Sequence, residues 1–299
     1  MKLSLGPIPY YWERQRVFDF YERIAYTAVD IVYLGETVCS KRRALRLSDW
    51  FGIARRLTDA GKEAVLSTLT LIEAESEVSY MRSLVENGHY PVEANDMAAI
   101  NMLEGVAPFV IGPHVNVYNN RTLELMAHAG ARRWVMPLEL DHDSLAALQV
   151  GRPAGLETEV FVYGRLPLAF SARCFTARAH NLPKDDCGFR CADYPEGLLL
   201  RTREGESFLS INGIEILSGD TYNLINEVGA MRTMGVDVLR LAPQPQGMLE
   251  IIETFRRVME GNLELSTADA ILAMQHPDGF CDGYWHGTAG MNRVHNVSQ

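Results

Sequence analysis

The chain has 299 residues, 47% hydrophobic and 22% charged, a balance that suits a folded globular protein and excludes a disordered or low-complexity one. Acidic residues outnumber basic ones by 38 to 28, a formal net charge of -10, so no nucleic-acid partner is expected. Its apolar runs are broken well before the roughly 18 residues of a membrane span, and MKLSLGPIPYYWERQ lacks the layout of a secretory signal; a cytoplasmic protein, not integral to a membrane, is expected.

Along the chain, short apolar and β-branched runs alternate with longer amphipathic stretches, the pattern of β/α units. Eight strands are expected, at 3–8, 30–35, 63–69, 90–95, 109–117, 132–139, 159–164 and 236–242. Between them, 48–60 places Trp50, Ile53, Ala54 and Leu57 at helical spacing, with Ser48 as N-cap and Gly61 as the stop. A second helix spans 96–104 before Gly105, and a third follows Asn120, with Leu123, Met126 and Ala127 on one face before Gly130. The basic run KRRALR at 41–46 reads as a solvated helix face. Eight strands with helical crossovers predict an α/β fold, a single TIM-type (β/α)8 barrel domain over 1–299. The long interval between the seventh and eighth strands reads as short strands turning at 203–206 and at Asn212-Gly213, a β-rich insertion at about 195–219 in the loop after the seventh strand.

Five cysteines are an odd number without an export signal, which points away from a disulfide framework and towards metal or redox chemistry. Cys39 falls just beyond the second strand, and Cys174, Cys187 and Cys191 fall in the loop after the seventh, so the topology brings all four to one barrel end. Their C-x12-C-x3-C spacing lacks the tight C-x2-C pairs of zinc sites. Iron-sulfur clusters accept dispersed cysteines, and buried free thiols are common, so spacing leaves a cluster, zinc and packed thiols all open.

Polar residues at strand ends are candidates for lining a substrate cavity: Glu36, Asn95, Asp96, His114, Asn116, Glu139 and Arg173. Three have plainer alternatives, since Asn95 and Asp96 suit a helix N-cap and Glu139 suits an ion pair with an Arg. No general base stands out, and the catalytic residues stay unassigned. There is no G-x-S-x-G elbow or H-E-x-x-H helix, and His180 is the nearby partner for a Cys174 nucleophile. Tyr284, Trp285 and His286, flanked by glycines, read as core packing before ligand cover.

The stretch EVFVYGRLPLAFSARC at 159–174 followed by CGFRCADYP at 187–195 resembles the U32 peptidase-like family, whose signature is a Glu-x-Phe-x-x-Gly run leading to a Ser-x-x-Cys. ETVCSKRR (36–43), VEANDM (92–97), PHVNVYN (113–119) and RRWVMPLEL (132–140) are similar to further blocks of that family, so the resemblance spans most of the chain. The His-Gly-Ala-Leu-Cys run of many members is replaced here by YGRLP at 163–167. With SARC, KDDCGFRC and the closing GYWHGTAGM, that form resembles the branch serving ubiquinone biosynthesis.

The resemblance implies that Cys39, Cys174, Cys187 and Cys191 ligate a 4Fe-4S cluster, and it leaves Cys281 as a structural thiol. It further implies a subunit of an oxygen-independent hydroxylase complex acting on the ubiquinone precursor ring. The expected partner is a UbiU-type U32 protein in a heterodimer, with a lipid-binding accessory protein of the pathway beside it. In other hydroxylating members of the family prephenate supplies the hydroxyl. The alternatives are a U32-type peptidase, an RNA-hydroxylating enzyme, which the acidic balance disfavours, and a non-catalytic scaffold stabilised by its cluster.

Overall fold

In a computed structural model that describes residues 1–275 and 279–294, eight parallel strands close into a barrel. They are β1 (Lys2–Leu5), β2 (Ile31–Leu34), β3 (Glu63–Ser67), β4 (Val92–Ala94), β5 (Phe109–Ile111), β6 (Ala131–Val135), the long β7 (Glu157–Phe170) and β11 (Val238–Leu241). Closure comes from β11, which pairs in parallel with β1 on one side (Leu3 opposite Leu239) and β7 on the other (Leu239 opposite Val160). Strand β2 is buried on both faces, which is why it reads as the continuous apolar run IVYL rather than as alternation.

Around the barrel lie α1 (Arg14–Ile24), α2 (Leu47–Asp59), α3 (Glu75–Val85), α4 (Met97–Leu103), α5 (Asn120–His128), α6 (His142–Val150), α7 (Phe175–Ala179), α8 (Val228–Thr233), α9 (Met248–Met259) and α10 (Leu265–Gln275). Trp50, Ile53, Ala54 and Leu57 of α2 are buried at the expected spacing. Its start differs from expectation, because Arg46 is the N-cap and Ser48 lies inside the first turn. Asp49 fixes that start by accepting the Arg46 N–H at 2.8 Å. Asp96 caps α4 by accepting from the Ala98 N–H at 2.7 Å, and Asn119 caps α5 through Thr122 at 2.9 Å. No helix among the described residues is long and apolar enough to cross a membrane.

The interval after β7 is a small antiparallel sheet built on that strand's outward extension. β7 continues past the barrel and pairs with β10 (Glu215–Asn223), which pairs with β9 (Ser207–Asn212), which pairs with β8 (Leu198–Arg201). Asn212 and Glu215 face each other across the turn, so the Asn-Gly dipeptide does close a hairpin, with Gly213 at φ +72°. The sheet runs to Asn223, beyond 219, because the far half of β10 returns along Tyr163–Arg165 and receives β12 (Phe280–Cys281) in parallel.

The basic run at 41–46 is not a solvated helix face. It is a turn preceding α2 in which Arg42 and Leu45 are buried and only Arg43 and Arg46 are fully exposed. Arg42 turns inward because buried acceptors wait for it on two other segments, as described below.

Inside the barrel, Ile31, Tyr33, Val65, Val110, Val135 and Val238 form an apolar layer. A charged layer crosses it, in which buried Glu159 pairs with Arg240 at 2.6 Å and Arg240 with Glu93 at 2.7 Å. Arg133 pairs with Glu157 at 2.6 Å and with Glu159 at 3.7 Å. Buried charges are tolerated only when paired in this way.

Candidate functional site

Cys39 sits on a turn shaped by the two residues that follow β2. Gly35 has φ +140°, and a Cβ there would lie 2.6 Å from the Ser67 carbonyl oxygen of the neighbouring strand, so only glycine fits. The Glu36 carboxylate then accepts from the N–H groups of Val38 at 2.9 Å and Cys39 at 3.0 Å. Burial raises the pKa of Glu36 against the pull of Arg42 and of these N–H groups. The Cys39 thiol is raised by burial while the Lys41 N–H and Arg42 act to lower it.

The other three cysteines lie on the segment that follows β7. Cys174 is the N-cap of α7, its Sγ accepting from the Ala177 N–H at 3.4 Å. The start of α7 is docked on the hairpin turn, with the Phe175 N–H donating to the Gly213 carbonyl at 2.9 Å and the Gly213 N–H donating to Thr176 Oγ1 at 3.0 Å. Between Cys187 and Cys191 the chain reverses through Gly188 and Phe189, at φ +56° and +51°. Lys41 clamps this loop to the Cys39 turn through Asp185 at 2.5 Å and the Lys184 carbonyl at 3.0 Å. All four cysteines are half-buried free thiols.

Arg42 is the hub. Its Nη1 donates to the Pro9 carbonyl at 2.7 Å and its Nη2 to Asn212 Oδ1 at 2.7 Å, while Glu36 lies 3.8 Å away. The thiol of Cys191 is raised by burial, lowered by the adjacent Arg42, and raised again by Cys174. Cys191 acts likewise on Cys39, and Cys187 and Cys39 both act on Lys41, so all four thiols share one electrostatic neighbourhood. Arg42 Nε is buried with no hydrogen-bond acceptor in the protein.

This donor set fits an iron-sulfur cluster. Thiolates are its usual ligands, N–H groups already point at sulfur on Cys39 and Cys174, and a buried cation with an orphaned N–H stands ready for added negative charge. Among the described residues no group of three or more His, Cys, Asp or Glu side chains is gathered tightly enough to hold a single metal ion. A cubane instead places each thiolate on a different iron.

Beside this centre the barrel mouth opens into a small cavity of about 60 Å³, walled by Pro9, Phe161, Leu138 and Leu217, with polar groups from Tyr10, Asn95, His114, Arg165, Glu215 and Arg240. Asn95 Oδ1 is buried without a hydrogen-bond partner. His114 packs edge-on against Phe170 at 4.9 Å, and burial together with Arg240 lowers its pKa to about 3, so its imidazole is neutral.

The remaining strand-end candidates separate. Glu36 belongs to the cysteine centre, Asn95 and His114 to the cavity, and Asp96 is an N-cap. Asn116 and Glu139 line an open groove outside the cavity, where the hydroxyl of Tyr118 donates to Glu139 in place of the expected Arg. Arg173 is exposed. His180 faces the Tyr194 hydroxyl at 3.0 Å, an arrangement that leaves the ring engaged elsewhere than at Cys174. Trp285 is buried and donates to Glu227 at 3.1 Å, as a packing role requires. Cys281 is buried in β12, and burial pushes its thiol up to about 12. Sequence reasoning missed Arg42, Arg165, Glu215 and Arg240. For Glu215 a signal existed, its place directly after the Asn-Gly turn.

Fold and site define an α/β barrel that gathers four thiols at its mouth beside a polar cavity. The family model for peptidase family U32 matches residues 18–294, and the chain belongs to that family. The U32 peptidase Mk0906 is similar at 11% identity, covering 82% of this chain and 94% of its own, with a TM-score of 0.45. A dihydrodipicolinate synthase from Agrobacterium tumefaciens is similar at 14% identity (91% of this chain, 79% of that one, TM-score 0.39). The spore cortex-lytic enzyme SleL from Bacillus cereus is similar at 12% identity (88% and 76%, TM-score 0.37).

Proposed function

We propose that this chain is a 4Fe-4S-carrying subunit of the UbiV type, acting with a UbiU-type U32 protein in oxygen-independent hydroxylation of the ubiquinone precursor ring. The observation that carries the reading is the gathering of four cysteines around the Lys41–Arg42 turn, with Cys39 and Cys191 beside buried Arg42, Cys174 beside Cys191 and Cys187 beside Lys41, next to the barrel-mouth cavity. Those four cysteines would hold the cluster, which when bound supplies one-electron redox chemistry or an iron site for an oxygen donor. Arg42 balances negative charge at the thiolates, and the clamp from Lys41 to Asp185 keeps the two cysteine-bearing segments together. The cavity sets the hydrogen-bonding groups of His114 and Asn95 beside the charged Arg165, Glu215 and Arg240, between the apolar walls of Phe161, Leu138 and Leu217, groups able to face a hydroxylated ring at the barrel mouth. A lipid-binding accessory protein would deliver such a ligand, and prephenate is the donor to test first.

Anaerobic purification followed by iron and acid-labile sulfide analysis should find about four of each per chain. Zinc in their place would end the reading. Cys39→Ala should abolish the cluster. If a cluster-free variant that still folds and still pairs with its partner supports full anaerobic quinone formation, the chain is a scaffold and not a redox subunit.

A further inference from the structure

Glu215 stands between the two halves of the site. It opens β10 directly after the hairpin turn, is 3% exposed, and lines the barrel-mouth cavity. Asn212 Nδ2 donates to its Oε2 at 2.7 Å, and Asn212 Oδ1 accepts from Arg42 Nη2 at 2.7 Å. Arg42 in turn lies beside the Cys191 thiol. Cavity and cysteine centre therefore meet back to back across Glu215, Asn212 and Arg42.

The groups that face Glu215 come from three segments. Arg42 and Glu36 face it from the Cys39 turn, Tyr10 faces it from the loop after β1, and Arg165 lies beyond Tyr10 on β7. Burial is the largest influence on its carboxyl, ahead of the Asn212 hydrogen bond and Arg42, and it pushes the pKa up to about 7. Near neutrality this carboxyl is shared between its two forms. Arg42 cannot deprotonate in a protein, so the row of side chains transmits charge and does not relay protons. An added negative charge at the thiolates is felt at Glu215 through a poorly screened interior, and it disfavours the carboxylate.

We propose that Glu215 is the proton-carrying group of the barrel-mouth cavity, taking up a proton from water when an electron arrives at the cysteine centre and presenting it to a ligand in the cavity. The step balances. One electron from an external reductant enters the centre, one hydronium proton converts the Glu215 carboxylate to the acid, and the charge of the pair is unchanged. Re-oxidation releases both. The inference rests on the cluster reading given above.

The test is a potentiometric titration, with dithionite as reductant, of the cluster-loaded chain between pH 5.5 and 8.5. The expected midpoint potential falls as pH rises through the neutral range, approaching 59 mV for each tenfold change in proton concentration, the one-electron conversion. In Glu215→Gln, which keeps the Asn212 contact and removes the titration, the potential should be flat. His114 adds no slope there because its pKa is about 3. A flat wild-type curve, or a slope that survives in the variant, overturns the proposal. Reduced-minus-oxidised infrared spectra of the wild type give a second measurement that needs no variant. A carboxylic acid C=O band should appear on reduction at pH 7 and shift in heavy water; its absence also overturns the proposal. Absence of iron and sulfide would bring down the cluster reading and this inference together, whereas a loaded protein with no slope brings down only this inference.

Discussion

Arg42 Nη2 donates to Asn212 Oδ1 at 2.7 Å, tying the turn that carries Cys39 to the hairpin on which the Cys174 segment is docked. Gly213 makes room for it, since a Cβ there would lie 2.9 Å from Nη2. One buried cation thus links segments that are far apart in sequence.

Arg42→Gln should therefore be costly. The substitution strands the Asn212 and Pro9 acceptors and leaves Glu36 without its cation. A loss of about 3–5 kcal/mol is expected from breaking a buried pair, read from a chemical denaturation midpoint. Arg42 also lowers the Cys39 and Cys191 thiols against the larger effect of burial. In the cluster-free variant both should titrate at higher pH, measured by the pH dependence of their reaction with a thiol probe.

Cys281→Ala should behave oppositely. The side chain is fully buried, and its thiol, pushed up to about 12, carries no thiolate at neutral pH. Loss of the sulfur leaves a small cavity and costs about 1–2 kcal/mol, while iron and sulfide content stay unchanged. Loss of the cluster in this variant would show that the four-cysteine assignment is wrong.

All eight barrel strands were legible in the sequence because each is centred on apolar or β-branched residues followed by an amphipathic stretch, as with 30–35 against the observed Ile31–Leu34. The placement of the cysteines at one barrel end followed from strand order alone. Arg42 was not legible, because a basic run looks alike whether its side chains are solvated or drawn inward. Its acceptors, Pro9 and Asn212, lie 33 and 170 residues away. Ser48 failed as an N-cap for a local reason, since Asp49 reaches back to the Arg46 N–H and starts the helix earlier. Glu215 and Arg240 acquire their meaning only from the cavity they share.

His114 gives a pH-dependent prediction. Its folded-state pKa, near 3 by burial and Arg240, lies below the unfolded value of about 6.5. The stability that comes from keeping it neutral is fully present above about pH 6.5 and is lost as pH falls towards 3. Relative to His114→Gln, the wild type should lose on the order of 1–2 kcal/mol by pH 4.5, a modest figure because the residue is half-buried and not sealed. Paired denaturation curves at pH 7.5 and 4.5 check this, and parallel loss in both proteins would show that His114 is solvated.

Glu159, the first residue of the Glu-x-Phe-x-x-Gly run, settles what that run does in this chain. Its carboxylate accepts from Ser4 Oγ at 2.6 Å, Tyr33 OH at 2.5 Å and Arg240 Nε at 2.6 Å, with Arg133 at 3.7 Å. Burial alone would raise its pKa, but Arg240 and Arg133 hold it below the usual carboxylate range. The stability it supplies is thus present above the unfolded pKa of about 4.3 and is lost as pH falls through the depressed folded value. Gly164 ends the run where a Cβ would lie 2.5 Å from Ala242 Cβ, so both ends are structural demands of strands β7 and β11. Glu159→Gln should cost about 3–5 kcal/mol at pH 7 by leaving two buried arginines short of an anion. Variant and wild type should converge in acid as Glu159 protonates. Iron content should be unchanged wherever the variant still folds. A fully stable variant that nevertheless lost activity would move Glu159 from the barrel's charge balance into its chemistry.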